Sequence, residues 1–120
     1  MVPFFLEKKK EGTLPITHKD MTRFNVTLKD GVDMVLWSIK NSFGGEILVP
    51  KTASYRILDL AKAISPKSKI KIVGIRPGEK IHEELITSSD SFSTVDIGKY
   101  FLILPSSNKK IIDNFLKKKK

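Results

Sequence analysis

Cysteine is absent from the 120 residues, which excludes disulfides and thiolate metal sites and fits a reducing compartment. No apolar run approaches the roughly 20 residues that a membrane-spanning helix needs. The apolar stretch at 2–6 is too short for a signal-peptide core, and its lysines follow it rather than precede it. Histidine is nearly missing: His18 and His82 stand apart, with no H-E-x-x-H, so the pattern does not point to a metal. Neither G-x-G-x-x-G nor a P-loop occurs. Gly44-Gly45 follows a helical pattern and precedes an apolar run, the reverse of a phosphate loop, and reads as the end of a helix. A cytoplasmic protein without metal is the expectation.

Charge, by contrast, is plentiful and one-sided. The formal net charge is +9, with nineteen lysines against three arginines. Lys8, Lys9, Lys10 and Lys117 to Lys120 supply seven of those charges. The excess therefore lies in two runs, which are ordinarily solvated, rather than in a stripe across a folded face. A basic module for nucleic acid or another anionic surface remains the alternative from a different class, and the composition does not favour it. Hydrophobic content of 40% and charged content of 29% fit one globular domain with a modest core.

Periodicity predicts an α/β chain. Pro3 suits the first turn of a short helix reaching about Lys10, ended by Gly12 and Pro15. Residues 16–26 have no clean period and read as loop or short strand. Thr27 opens a helix with a Thr-x-x-Asp capping pattern to Asp30. On that helix Val32, Val35, Leu36 and Ile39 form an apolar stripe, expected to be core. Residues 46–50 read as a buried strand. Ser54 is the expected cap of a helix carrying Ile57, Leu60, Ala61 and Ile64, and 69–75 is a strand, together the length of a βαβ unit. A further strand is expected at 100–104. Ser107 or Asn108 is expected to cap a terminal helix with Ile111, Ile112, Phe115 and Leu116 inward.

The most informative stretch is Arg76-Pro77-Gly78-Glu79, straight after the predicted strand. Pro77 fixes one backbone angle and Gly78 permits a positive-φ turn, so Arg76 and Glu79 should lie close together. A guanidinium suits phosphate oxygens, and a carboxylate suits a pair of sugar hydroxyls. Locally the segment reads either as a surface turn with an ion pair or as a nucleotide-binding turn. Arg23, between Met21 and Phe24 in an irregular segment, is the second candidate. It and Arg76 could converge on a diphosphate, which is costly to desolvate unpaired. His82 reads as a structural hydrogen-bonding residue. Glu83 and Glu84 point apart in either helix or strand, so no acid/base pair is indicated.

Several segments together resemble the C-terminal part of the inverting UDP-N-acetylglucosamine 4,6-dehydratases, extended short-chain dehydrogenase/reductases of the polysaccharide-biosynthesis group. They are Val2-Pro3-Phe4-Phe5, Pro15-Ile16-Thr17, Met21-Thr22-Arg23-Phe24, Gly44-Gly45-Glu46-Ile47, Asp59-Leu60-Ala61-Lys62, Gly74-Ile75-Arg76-Pro77-Gly78-Glu79-Lys80 and His82-Glu83. The resemblance covers about residues 2–104. It implies a small substrate-binding lobe at 1–105 without the Rossmann lobe, followed by a lysine-rich tail at 106–120. It also implies that Arg23 and Arg76 hold the UDP moiety and that Glu79 accepts hydrogen bonds from the ribose. The family reaction it implies is an NADP-dependent dehydration in which hydride leaves C4 of the sugar and returns at C6. The NADP loop and the Tyr-x-x-x-Lys pair of such enzymes are not here: Tyr55 is followed four residues on by Asp59, and Tyr100 by Leu104. The expectation is thus a UDP-sugar-binding portion that holds no NADP and is not catalytic alone. A related UDP-sugar epimerase or retaining dehydratase is the alternative within the class. Val2, Phe4 and Phe5 should be partly stranded without a partner lobe, leaving a marginally stable or self-associating chain, or one that works with a separate Rossmann piece.

Overall fold

Elements alternate along the chain in the computed structural model, which describes residues 1–106 and 109–119. In order they are α1 (Val2–Lys8), β1 (Thr13–Ile16), β2 (Thr22–Phe24), α2 (Leu28–Asn41), β3 (Ile47–Pro50), β4 (Ser54–Arg56), α3 (Ile57–Ile64), β5 (Lys69–Ile72), β6 (Thr94–Asp96), β7 (Tyr100–Ile103) and α4 (Lys109–Lys119). The fold is α/β with parallel and antiparallel pairing. Two compact units form, each from two separate stretches: residues 1–25 with 53–83, and 26–52 with 84–120.

In the first unit β1 runs parallel to β5, with Leu14 opposite Ile70 and Ile16 opposite Ile72. Pro15 is tolerated because, among the described residues, β1 has a strand neighbour on one side only. β2 and β4 pair antiparallel, Arg23 opposite Tyr55. Alternation along β1 sends Leu14 and Ile16 into a core shared with Phe5, Met21, Ile57 and Ala61. The helix expected from Pro3 is there, closed by a 3-10 turn at Lys9–Glu11 and by Gly12. Phe5 is not stranded: it is fully buried, because α1 folds back on β1 and α3. Phe4 stays exposed and Val2 is half-buried. Residues 16–26 hold the end of β1 and all of β2, strands too short to show a period.

The second unit is a three-stranded antiparallel sheet, order β3-β7-β6, with α2 and α4. Its buried side chains are Val49, Tyr100, Leu102 and Leu104. Thr27 caps α2 as expected: Asp30 N donates to Thr27 Oγ1 at 3.1 Å, and Thr27 N donates to the Asp30 carboxylate. Gly44 and Gly45 lie just beyond the α2 C-cap, Ser42, both with positive φ that a side chain would resist.

Four expectations are corrected here. The α2 stripe is not core: Val32, Val35, Leu36 and Ile39 are all exposed, while Trp37 on another face meets Tyr100 edge-on at 5.2 Å. Ser54 does not cap α3, since it lies in β4 and the N-cap is Arg56, with no side-chain bond. No βαβ unit forms, because β3 pairs with β7 and β5 with β1. On α4, Ile112 and Phe115 are half-buried, Phe115 against Phe43, but Ile111 and Leu116 are exposed. The expected cap at Ser107 or Asn108 lies outside the described residues.

Candidate functional site

The turn at 76–79 closes as its sequence requires. Glu79 N donates to Arg76 O at 3.0 Å, and Gly78 has φ +80°. Proline then a positive-φ glycine at the two central positions is the type II arrangement. The Glu79 carboxylate folds back on the turn, its Oε2 accepting from Arg76 N at 3.2 Å. That bond stiffens the turn and aims the carboxylate along it.

Arg23 holds the far side of this turn. Its Nη1 donates to Thr22 O at 2.7 Å and to Ile81 O at 3.0 Å, and its Nη2 donates to Lys80 O at 2.9 Å. Its Nη2 also lies 4.0 Å from Glu79 Oε1, with the Arg23 side chain only 17% exposed. Two more bonds fasten β2 to the same loop: Thr22 N donates to Ile81 O at 3.1 Å, and Thr22 Oγ1 bonds His82 Nδ1 at 2.7 Å. The planar fork of arginine suits three carbonyls at once in a way that a lysine point charge does not.

Arg76 and Glu79 together line a cavity of about 220 Å³, with Met1, Phe4 and Phe5 from α1, Pro15, Ile16 and Thr17 at the end of β1, and Ile57 from α3. Its wall is mostly apolar, with a charged pair at one side, the usual make-up of a small-molecule site. The Arg76 guanidinium has no hydrogen-bond or ion-pair partner among the described residues. The structure thus gathers the three sequence candidates at one turn, but in different postures. Arg76 and Glu79 line the cavity, whereas the fork of Arg23 is spent on main-chain carbonyls beside it. Sequence reasoning missed the apolar wall. That wall is assembled from α1, the end of β1 and α3, segments far apart along the chain, so no local pattern signalled it.

Among the described residues no group of three or more His, Asp or Glu could hold a metal ion. No helix described is long and apolar enough to cross a membrane.

Comparison with known proteins gives consistent results. The family described as "Polysaccharide biosynthesis protein" matches residues 1–105. A UDP-N-acetylglucosamine 4,6-dehydratase (inverting) of Campylobacter jejuni is 48% identical over 108 residues, covering 88% of this chain and 32% of that protein. A UDP-glucose 4-epimerase of Rickettsia akari is 39% identical over 108 residues, covering 86% and 32%. Among solved structures, Pen from Bacillus thuringiensis superposes with a TM-score of 0.78 at 28% identity, over 87% of this chain and 34% of that one. The chain spans about a third of the length of these relatives. On the match along residues 1–105 and the shared fold, the chain belongs to the polysaccharide biosynthesis protein family.

Proposed function

We propose that this chain carries the UDP-sugar-binding portion of an inverting UDP-N-acetylglucosamine 4,6-dehydratase. The observation that supports this best is the guanidinium of Arg76, without a partner among the described residues, beside the fixed carboxylate of Glu79 at one apolar cavity. Arg76 takes a phosphate of the nucleotide, and Glu79 accepts from the ribose hydroxyls through the lone pairs its turn leaves open. Arg23 serves the same site as a positioning residue, holding the Lys80 and Ile81 carbonyls and so the angle of the turn. At about 220 Å³ the cavity is below the ~300–1,000 Å³ of sites that engulf a whole small ligand. It therefore grips one moiety of the nucleotide sugar. The binding portion spans residues 1–105, and its site draws only on the first unit.

NADP, which the resemblance attaches to such enzymes, does not fit the residues present. The adjacent glycines follow α2 and precede β3, so no helix N-terminus opens behind them to receive a pyrophosphate. Tyr100 is buried against Trp37, with Leu104 where a lysine would be needed. No reaction step is assigned to this chain, and cytoplasmic nucleotide sugar is its proposed ligand pool.

Calorimetric titration with UDP tests the reading. Binding is expected, weakened about tenfold or more by Arg76→Ala, the scale of a lost charge-assisted hydrogen bond. No heat with UDP, or equal affinity in the variant, would refute it. The epimerase alternative ranks second because the epimerases match at 37–39% identity against 46–48% for the dehydratases.

A further inference from the structure

α2 faces outward with the wrong side. Leu28, Val32, Val35, Leu36 and Ile39 follow the i, i+4, i+7, i+8, i+11 spacing of a single face, and they are 86, 48, 56, 60 and 78% exposed. The opposite side, with Trp37, packs on its own sheet. A surface helix of a finished domain shows the reverse, polar residues out and the aliphatic stripe in. Scattered exposed aliphatics are ordinary, but five on one continuous face mark a contact surface. A shallow groove runs along it, lined by Val26, Leu28, Val32 and Leu36 among others. The adjoining sheet also has an open edge: among the described residues β3 pairs only with β7, and its Ile47 is 61% exposed.

We infer that the α2 stripe is the docking surface for the remainder of the family fold, the roughly two-thirds of the relatives' length that this chain does not match. Two observations select that occupant. The curated relatives extend far beyond the matched 108 residues, 32% of their length, so family members carry a large body of protein outside the matched region. The stripe is purely aliphatic, without the charged and aromatic anchors of reversible interfaces, and resembles a protein core cut in half. A strand-bearing partner would also meet the open side of β3, where main-chain groups need hydrogen bonds. This inference rests on the exposed stripe and on family membership, and stands whether or not Arg76 and Glu79 bind a nucleotide.

The test uses the absence of cysteine. Val35→Cys places one thiol on the stripe, and Asp113→Cys places one on exposed α4 as a control. Each variant is made in the chain alone and in a chimera that joins the chain to the unmatched part of the Campylobacter jejuni relative with that part's cysteines replaced by serine. Labelling by a water-soluble maleimide should be rapid at both positions in the chain alone. In the chimera it should slow by at least about tenfold at position 35 and not at 113. Separately, the two pieces co-expressed as individual chains should purify together, and Leu36→Glu with Ile39→Glu should abolish the pairing. Equal labelling of the Val35→Cys thiol in chain and chimera would overturn the inference. So would a complex indifferent to the double substitution. A self-association abolished by the double substitution, without capture of the other piece, would make a second copy the occupant and equally overturn it.

Discussion

Arg23 shows how much one guanidinium can fix. Its three carbonyl acceptors lie one, 57 and 58 residues away along the chain, and all three sit around the nucleotide-binding candidate. Arg23→Ala takes the guanidinium from the part-buried Thr22 and Ile81 carbonyls, of which Ile81 O keeps Thr22 N, while the exposed Lys80 O can turn to water, at a cost of about 1–2 kcal/mol measurable by urea unfolding. Arg23→Lys should recover part of that, since an ammonium cannot span three acceptors in one plane. UDP affinity should fall with Arg23→Ala through displacement of Glu79, and Arg23→Lys should recover part of it. Loss of stability without loss of affinity would leave Arg23 outside the site. None of this latch was legible in the sequence. The residues 76–79 were, because proline, glycine and the i, i+3 spacing are local instructions. An arginine that reaches across 58 residues leaves no local trace, so its posture on carbonyls was not foreseen.

The same division holds for elements. Thr27 and Asp30 announced the start of α2 because a capping box is complete within four residues. Thr27→Ala should cost about 1 kcal/mol, read as a shift in the urea midpoint. At the other end of α2, Glu46 closes the Ser42–Gly45 turn, its Oε1 accepting from Phe43 N at 2.6 Å. Burial resists its ionisation, but the amides of Glu46, Phe43 and Gly44 and the Ser42 hydroxyl outweigh that and hold its pKa below the ordinary value of 4.5. A carboxyl depressed on folding binds fewer protons in the native state than in the unfolded one. Its stabilisation is therefore full above the ordinary carboxylate range and is lost as pH falls through the lower folded value. The stability gap between wild type and Glu46→Gln should be widest at neutral pH and shrink on acidification into that range. A pH-independent gap would mean that Glu46 acts through packing alone. Strand partners were less legible than caps. The run 46–50, the helix and the run 69–75 had the length of a βαβ unit, but length does not say who pairs with whom, and β3 and β5 chose β7 and β1.

For the chain as a whole, periodicity identified the apolar side of α2 and could not say what covers it, because burial depends on the neighbour present. The lysine runs pose the remaining question at this scale. Lys117 to Lys120 hold four of the nine net positive charges and lie far along the chain from Arg76 and Glu79. If they act only as a solvated charge, deleting them should weaken retention on generic DNA at low ionic strength and leave UDP titration unchanged. The DNA retention itself should fade by about 0.15 M salt, where screening acts over roughly 8 Å. A module built for nucleic acid would behave in the opposite way. Its binding would persist at that salt, whereas UDP binding would be absent or indifferent to Arg76→Ala. Running both ligands against both variants separates a charge carried at one end from a site built into the fold, since only the second answers to the loss of a single guanidinium on a rigid turn.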